Sequence, residues 1–523
     1  MFYAYRQNSL RKKMADIPRA VIEIGSTGIR LLVAEITDSS KHNILDRSEQ
    51  LVNIGRDVFT TGAISRETLL LCIQILTRYK EQLKGWGLTE NETIVIGTSA
   101  IREAINRDPF VDRVKVKTGY TVRVIDGIEE NRLMYIAVTE CLKEENAIMR
   151  ESNSIILEIS GGATEMMIME KGRMIGAHSL RLGSVIIEQN IRSLTRNMED
   201  TRRFIEEFIH NTQKSLASEI DFSKIQQFIA VSGDLKLISL FIGKQVTPFL
   251  WEITRKDFET FVDEVMHYSP EECVAKFKIN YSETNTFLIS LLSYRKFVEL
   301  TNVQSIIVPD ITIREGVILS NSEQQNLNLV TDFNSQIIAS AVTLLKKYNG
   351  DYNHAKYVKE KSVKIYDALE HELGLNLHAR TLLEVSAILH DIGMFIGADN
   401  HHIHGKYIVS NSEIFGISME DRQLIALITG FHKGNKMPQD DEEFNLLPRN
   451  SRMIILKLCA ILRVADALDR SHQQKINEFS ISFASDSITF RVKGHINLAL
   501  EKLGLAEKGD LFENVFGYKI VLI

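Results

Sequence analysis

The sequence has few cysteines and no closely spaced cysteine pair. Its four cysteines, Cys72, Cys141, Cys273 and Cys459, lie far apart in a chain of 523 residues, and none belongs to a Cys-x-x-Cys motif. Neither a disulfide framework nor a thiolate zinc site is indicated by this spacing. The pattern fits a reducing compartment, so we expect a cytoplasmic protein.

Long apolar runs are also missing. No stretch approaches the roughly 20 consecutive apolar residues that a membrane-spanning helix needs, and we expect no membrane association. The first 18 residues are basic but lack the apolar core of a signal peptide. We interpret residues 1–18 as an N-terminal arm, with either Met1 or Met14 as the start of translation.

An excess of positive charge is absent as well. Lysine and arginine total 62 against 68 aspartate and glutamate, a formal net charge of −6, which argues against a general nucleic-acid-binding protein. With 44% hydrophobic and 25% charged residues, the composition is that of a globular protein. The length is sufficient for several domains.

What is present is a distinctive hairpin pattern at residues 155–170, IILEISGGATEMMIME. An apolar strand ends at Ile159, the small residues 160–164 interrupt it, and a second strand follows. A small tip leaves backbone N–H groups free to converge on an anion. The flanking carboxylates Glu158 and Glu165 suggest phosphate together with a divalent cation. Taken alone, the pattern also fits an ordinary tight turn.

The same pattern occurs near the start of the chain, in residues 19–36, RAVIEIGSTGIRLLVAEI. Glu23 stands two residues before Gly25, as Glu158 stands two residues before Ser160. This repeat predicts a duplicated α/β fold with one phosphate loop in each half. Strands and helices alternate between and after the two hairpins, and polar groups follow the strand ends, where α/β folds collect their ligands.

Beyond about residue 332 the periodicity becomes helical, and the chain ends in alternating strands. We therefore predict an arm at 1–18, a first lobe at 19–130, a second lobe at 131–322, a helical domain at 323–475 and a small α+β module at 476–523.

Seven motifs occur in a fixed order: IEIGSTGIRLLVAEI, IGTSAIREA, IDGIEENRLMY, LEISGGATEMMI, SLRLGSV, VSGDLKLI and TIREGVI. Together they resemble the exopolyphosphatase and guanosine-pentaphosphate phosphohydrolase family over about the first 320 residues. The resemblance implies two ribonuclease-H-like (actin-like) lobes. It also implies a Mg²⁺-dependent hydrolase that removes terminal phosphate from inorganic polyphosphate and converts pppGpp to ppGpp. A homodimer is expected by the same analogy.

The family resemblance also implies roles for individual residues. Glu130 corresponds to the general base that activates water, and Arg102 to a phosphate clamp. Glu158 and Glu165 would hold Mg²⁺ against the phosphates. The residues implied to bind substrate phosphate are Gly25, Ser26, Thr27, Thr98, Gly161, Gly162, Ala163, Thr164, Gly183, Ser184 and Gly233. Without the family pattern, Glu130 would be interpreted as a helix-N-terminal acid and Arg102 as a surface residue.

This chain departs from the family pattern at five positions. Glu23 and Glu158 replace aspartates, Ser160 replaces a glycine, Ala163 a serine and Asp234 a threonine. Each change weakens phosphate or metal binding, yet none removes the candidate base. A non-catalytic sensor of polyphosphate or pppGpp therefore stays open, and a sugar kinase of the same superfold is a further alternative.

The helical domain carries a second group of candidate residues. His354, His390, Asp391 and Asp466 resemble the metal-dependent HD phosphohydrolase domain. Imidazoles and carboxylates suit a divalent metal that activates water, and His402, His404 and His432 would complete a second metal site. Alternatively the metal is lost and the domain is a scaffold, or this site performs the main chemistry on nucleotides while the lobes act as sensor. Lysines 346, 347, 356, 359, 361 and 364 would line a polyphosphate track.

Overall fold

The structure, a computed structural model, describes residues 18–36, 42–143, 151–194, 198–216, 220–320, 326–375, 377–434, 437–494 and 496–523. The chain divides into two compact units, residues 1–333 and 334–523. Except for Pro18, the predicted N-terminal arm lies outside the described residues, and so does the predicted boundary after residue 322. Within the described residues no helix has the length and apolarity needed to cross a membrane.

The first unit contains, among its described residues, a five-stranded sheet in the order β3-β2-β1-β4-β5. Its strands are β1 (Arg19–Ile24), β2 (Gly28–Ile36), β3 (His42–Leu51), β4 (Thr93–Gly97) and β5 (Val122–Val124). Strands β1, β2 and β3 are antiparallel neighbours, whereas β4 and β5 run parallel to β1. The hairpin predicted in residues 19–36 corresponds to β1 and β2, whereas β3 was not predicted.

A second sheet in the same unit repeats this plan. In the described chain its order is β10-β11-β12-β9-β6-β7-β8. Its strands are β6 (Asn153–Ile159), β7 (Thr164–Glu170), β8 (Arg173–Leu180), β9 (Gln227–Val231), β10 (Lys244–Thr247), β11 (Leu250–Thr254) and β12 (Ser305–Pro309). The run β8-β7-β6-β9-β12 has the order and strand directions of the first sheet. The two similar hairpins therefore occupy equivalent places, as their repeated pattern predicts.

Twelve helices accompany these sheets in the described part of the first unit. They are α1 (Ile54–Thr61), α2 (Arg66–Gly85), α3 (Ser99–Glu103), α4 (Arg107–Thr118), α5 (Gly127–Cys141), α6 (Ser184–Leu194), α7 (Met198–Leu216), α8 (Gly233–Ile242), α9 (Arg255–Val265), α10 (Pro270–Phe277), α11 (Thr284–Glu299) and α12 (Ile313–Ser320). Each sheet has a separate apolar core. The predicted lobe boundary at residue 130 falls inside α5, whose backbone is continuously helical there.

Helix α12 reaches from the end of the second sheet back to the first. A Cβ atom on Gly316 would lie 2.1 Å from the carbonyl oxygen of Leu133 in α5, so α12 and α5 approach closely only because this position is glycine. The approach places Arg314 beside the first hairpin, with its Nε 3.4 Å from Glu23 Oε2.

The second unit is helical as far as residue 467, which the periodicity predicts. Its helices are α13 (Asn326–Lys347, which begins in the first unit), α14 (Tyr352–Ala368), α15 (Glu370–Leu373), α16 (Leu377–Leu389), α17 (His401–Ser410), α18 (Met419–Phe431), α19 (Glu442–Leu446) and α20 (Arg449–Ala467). The C-terminal module follows with β13 (Phe479–Phe483), β14 (Ser487–Val492), α21 (Ala499–Lys508), α22 (Asp510–Phe516) and β15 (Lys519–Leu522). Its three strands match the predicted ones closely.

Candidate active site and candidate metal centre

The tips of the two equivalent hairpins touch each other. A Cβ atom on Gly161 would lie 2.9 Å from the Cβ of Ser26, and one on Gly162 would lie 2.4 Å from Ser99 Oγ. None of these glycines has a positive φ, so close approach rather than backbone conformation makes glycine necessary here. The sequence analysis expected the missing side chains to leave room for an anion. At Gly161 and Gly162 the space of a Cβ is occupied mainly by side chains of the first lobe, and anion binding by the backbone N–H groups stays a prediction.

The second tip is also tied to the start of helix α6. The Ser184 N–H donates to the Ser160 carbonyl over 2.9 Å, and a Cβ on Gly183 would lie 2.3 Å from the Gly161 carbonyl oxygen. The Thr164 side chain is fully buried and its hydroxyl donates to the Leu182 carbonyl over 2.5 Å. These contacts show that Gly183, Ser184 and Thr164 support the loop, and their role in phosphate binding stays a prediction.

Other predicted phosphate-binding groups are engaged within the loops themselves. Thr27 Oγ1 accepts from an Arg30 N–H over 2.8 Å, and the Ala163 N–H donates to Ser160 Oγ over 3.2 Å. Ser160 does not have a positive φ, so a serine fits this turn without backbone strain. The Ser160 hydroxyl stabilises the turn by accepting the hydrogen bond from the Ala163 N–H.

Three further predicted residues, Ser26, Thr98 and Gly233, lie just after the C-terminal ends of β1, β4 and β9. Ser26 Oγ is 3.3 Å from Ser99 Oγ. The Thr98 N–H donates to the Ile24 carbonyl over 3.2 Å, which joins the end of β4 to the end of β1. Gly233 begins α8 and faces open space. The structure thus brings Ser26 and Thr98 to the meeting point of the lobes, with Gly233 exposed at a helix start.

The candidate base and the candidate clamp are directly paired. Glu130 lies in the first turn of α5, where the Asp126 carboxylate caps the helix by accepting from the Glu129 N–H over 2.8 Å. Arg102, in the last turn of α3, donates to the Glu130 carboxylate and, over 2.7 Å, to the Ile125 carbonyl. The Glu130 side chain is only 7% exposed. Burial raises the pKa of Glu130 to about 7 although Arg102 opposes the rise.

Two acids, Glu158 and Glu165, lie next to each other near the tip of the second hairpin. Glu158 and Glu165 are direct cross-strand partners, so their side chains share one face of the sheet. Asn131 Nδ2 and Ser179 Oγ donate to the two oxygens of Glu165 over 2.8 and 2.6 Å. Burial, together with the charge of Glu130, raises the pKa of Glu165 to about 8. Burial and the charges of Glu130 and Glu23 raise the pKa of Glu158 well above its ordinary value.

Four residues that contact the predicted acids were not themselves predicted. Arg30 NH1 lies 3.7 Å from Glu23 Oε1 and Arg314 Nε lies 3.4 Å from its other oxygen. Asn131 and Ser179 orient Glu165. Asn131 follows the candidate base in sequence, so the helical position itself was a usable signal. Arg30 stands opposite Glu23 in the hairpin, which is visible once the register is known.

The acids suit a magnesium ion that is shared with substrate. Carboxylate oxygens are ligands that Mg²⁺ prefers, and Mg²⁺ usually binds through one or two carboxylates plus phosphate oxygens. Among the described residues, no three of Glu23, Glu130, Glu158 and Glu165 bring oxygens within 4.8 Å of one another. The donor set fits the ion, but it offers no complete protein cage.

The second unit contains a compact cluster of imidazoles and carboxylates. His354 Nε2 lies 3.2 Å from His390 Nε2 and 3.5 Å from Asp466 Oδ1. Asp391 Oδ2 lies 3.6 Å from His390 Nε2 and 3.9 Å from His354 Nε2. The four residues that the HD resemblance singled out therefore converge.

Asp391 also faces a second histidine pair through its other oxygen. Asp391 Oδ1 lies 3.5 Å from His401 Nε2 and 3.2 Å from His432 Nε2, and the two imidazoles are 3.2 Å apart. His401 was not predicted and replaces His402 and His404, which are not part of either metal-like group. Helix α17 begins at His401, so successive residues point in different directions around the helix. One carboxylate thus stands between two groups of potential metal ligands.

The four imidazoles share one arrangement. The Nδ1 atom of His354 lies 2.8 Å from Asp469 Oδ2, and the Nδ1 atoms of His390, His401 and His432 lie 2.6 to 2.9 Å from backbone carbonyl oxygens. Such outer contacts fix the imidazole tautomer and leave Nε2 to coordinate a metal. The donor set of the cluster therefore fits divalent metal ions.

Two lysines of the predicted polyphosphate track donate hydrogen bonds to backbone carbonyls of the same unit. Lys361 is buried and donates to the Asn477 carbonyl over 2.8 Å, and Lys364 donates to the Phe479 carbonyl. Both therefore tie helix α14 to the C-terminal module.

Both units of this chain are similar to known proteins. Residues 32–325 match the model of the Ppx/GppA phosphatase family, and residues 338–510 match that of Ppx/GppA phosphatase, domain III. A guanosine-5'-triphosphate,3'-diphosphate pyrophosphatase from Photobacterium profundum is 22% identical over 474 residues, 90% of each chain. A crystal structure of an exopolyphosphatase from Cytophaga hutchinsonii is similar at a TM-score of 0.52 and 20% identity, covering 58% of this chain and 97% of that one.

Proposed function

Because this chain belongs to the Ppx/GppA phosphatase family and is a phosphoanhydride hydrolase, we propose that it removes terminal phosphate from inorganic polyphosphate and also from pppGpp. The observation that carries this proposal is Glu130, a buried carboxylate with a pKa of about 7 beside Arg102 and the meeting hairpin tips. A base with a pKa near the working pH combines the right protonation state with adequate basicity. Mg²⁺ as cofactor, a homodimer and a cytoplasmic location belong to the same proposal.

The proposed reaction is in-line attack of water on the terminal phosphoryl group. The new P–O bond forms as the P–O bond to the bridging oxygen breaks, and the shortened polyphosphate, or ppGpp, leaves with the electron pair of that bond. Glu130 accepts the proton of the attacking water at a carboxylate oxygen, while Arg102 donates N–H groups to the phosphoryl oxygens. Glu158 and Glu165 would hold Mg²⁺, which when bound neutralises charge that develops on the phosphate oxygens. Asn131 and Ser179 hold Glu165 in orientation by their hydrogen bonds.

The test is phosphate release from long-chain polyphosphate with Mg²⁺, before and after Glu130→Gln. General-base catalysis contributes about 100- to 10,000-fold, so we expect at least about a 100-fold loss. Glu129→Gln is the matched control, since Glu129 is the preceding residue and its carboxylate is held by Arg132 over 2.6 and 2.8 Å. Equal rates in wild type and Glu130→Gln would refute the assignment.

A second candidate function is favoured by the histidine cluster of the second unit. We propose a metal-dependent phosphohydrolase centre there, with His354, His390 and Asp466 on one side of Asp391 and His401 and His432 on the other. The supporting observation is that Asp391 turns one oxygen to each group. Bound divalent ions would supply an activated water for attack on a phosphate ester.

Metal content separates this proposal from a scaffold role. Purified full-length protein loaded with Mn²⁺ and desalted should retain two metal ions per chain, and Asp391→Ala should lose both. The control is Asp399→Ala, because Asp399 is an exposed aspartate of the same unit. Should polyphosphate hydrolysis survive Glu130→Gln but not Asp391→Ala, the main chemistry would have to move to this centre.

A further inference from the structure

A buried lysine from the C-terminal module reaches the histidine cluster. Lys508, the last residue of α21, contacts Asp466 Oδ2, and the two side chains are only 7% and 10% exposed. The other oxygen, Asp466 Oδ1, faces His354 Nε2 and His390 Nε2 at 3.5 and 3.8 Å. A single carboxylate therefore connects the ammonium group to the candidate metal ligands.

Lys508 lies beside two neighbouring segments of the same unit. Helix α21 packs against α20, where the place of a Cβ on Gly504 lies at the ordinary van der Waals distance of 3.4 Å from Ala467. The aliphatic stem of Lys508 lies 3.5 Å from the place of a Cβ on Gly434, two residues after the ligand candidate His432. A cation withdrawn from water is costly unless it is paired, and a lysine at the end of a helix is more often solvated. Pairing with Asp466 therefore stabilises the buried ammonium group of Lys508 beside the cluster.

The charge of the cluster indicates which ligand it suits. Asp391 and Asp466 supply two negative charges to the first coordination sphere, while Asp469 is engaged outside it by His354 and Gln474. Two divalent ions and Lys508 would leave a clear positive excess. Such an excess favours a dianion over a monoanion, that is, a terminal phosphoryl group over a phosphodiester.

We propose that Lys508 is a substrate-binding residue that directs the histidine centre toward terminal phosphoryl groups. The inference rests on the metal centre proposed above, whose ions it requires. It assigns the C-terminal module a direct part in ligand recognition, because the module supplies the cation that contacts the phosphoryl oxygens. Asp466 Oδ2 contacts Lys508 while Asp466 Oδ1 faces His354 and His390, so this carboxylate would hold a metal ion through Oδ1 with Lys508 beside it.

The test uses full-length, Mn²⁺-loaded protein and two probes, inorganic phosphate and dimethyl phosphate, measured by isothermal titration calorimetry. Asp391→Ala should lose both metal ions of the histidine centre, so the phosphate that this variant still binds is bound elsewhere in the chain. At the remaining site we expect wild type to bind phosphate at least about 10-fold more tightly than dimethyl phosphate, the effect of one hydrogen bond to a charged group. Lys508→Gln should lose that preference while keeping two Mn²⁺ per chain, and Lys508→Arg should restore it.

The control is Lys502→Gln, which removes an exposed lysine from the same helix and should change neither value. Circular dichroism melts confirm that each variant is folded. If Lys508→Gln keeps its metal and its preference for phosphate, the proposal fails while the metal centre stands. If Lys508→Gln binds metal more tightly and binds phosphate as well as wild type does, Lys508 is only a counter-ion for Asp466. That result would also overturn the proposal. If wild type retains no metal, both the centre and this inference fall.

Discussion

The guanidinium of Arg102 donates its hydrogen bond to the carboxylate of Glu130, so the proposed clamp and the proposed base hold each other. A phosphate group that recruits Arg102 competes with Glu130 for the same donor. Because Arg102 lowers the pKa of Glu130, transfer of Arg102 to phosphate makes Glu130 a stronger base. We therefore expect the pair to link substrate binding to the ability of Glu130 to accept a proton.

This pairing predicts the pH dependence of phosphate release. The carboxylate form of Glu130 is required, so activity should rise with pH through a midpoint near its pKa of about 7. Arg102→Gln removes a cation that stabilises the carboxylate, and it should move the midpoint for kcat/KM to higher pH as well as lower the rate. The profile of initial rates between pH 5 and 9 measures both effects.

Arg107→Gln is the control for this profile, since Arg107 is exposed and its guanidinium pairs with the neighbouring Asp108 at 3.0 Å. A midpoint that stays in place or falls in Arg102→Gln would contradict the electrostatic coupling.

The buried Glu165 predicts a pH-dependent stability. Its pKa of about 8 exceeds the ordinary value of 4.5, so between these values the folded protein holds a proton that the unfolded chain has released. Stability therefore decreases as pH rises through this window. Glu165→Gln removes this loss, and without added metal it should be stabilised relative to wild type by a few kcal/mol at pH 9 but little at pH 5. Thermal melts at both pH values measure the difference.

Glu170→Gln provides the comparison, because Glu170 is the exposed residue at the far end of the same strand. If Glu165→Gln had the same effect on Tm at pH 5 and pH 9, the raised pKa would not be the cause.

Gly183 and Gly233 should respond differently to substitution by alanine. Gly183→Ala forces a Cβ to within 2.3 Å of the Gly161 carbonyl oxygen, and overpacking of this kind costs about 1–3 kcal/mol. We expect a lower Tm and weaker polyphosphate hydrolysis, because the loop it displaces is the second hairpin tip. Gly233→Ala, where nothing lies within 4 Å of the added atom, should keep its stability. A similar Tm for both variants would show that the close approach is not rigid.

The histidine assignment predicts which substitution removes a metal ion. His401→Ala should reduce the content from two ions per chain to one, since His401 shares Asp391 Oδ1 with His432. His402→Ala changes the adjacent residue and should retain both ions. Elemental analysis after Mn²⁺ loading measures the count, and an equal count in the two variants would argue against the second ion.

Much of the site was predictable wherever the residues that matter are neighbours in sequence. The repeated hairpin with Glu23 and Glu158 predicted two equivalent loops, and the strand order of both sheets agrees with that duplication. Helix α5 with Glu130 in its first turn followed from its N-terminal sequence, as Asp126 caps it. Local patterns sufficed because hairpins and helix starts are specified by nearby residues.

The sequence was less informative where contacts cross from one segment to another. It did not indicate that the Thr164 hydroxyl and the Ser184 N–H are hydrogen-bonded to Leu182 and Ser160. His401 and His402 are indistinguishable in sequence, because only the packing of α17 decides which imidazole faces Asp391.

The sequence by itself therefore determined the duplicated α/β lobes, the helical second unit and the identity of Glu130, Glu158, Glu165 and the HD residues as chemically capable groups. Tertiary structure alone decided that Arg102 holds Glu130, that the glycine tips close on each other, and that Lys508 meets Asp466. The physical reason is that burial and proximity set the charge state and the partners of a side chain, and both arise from segments that lie far apart in the chain.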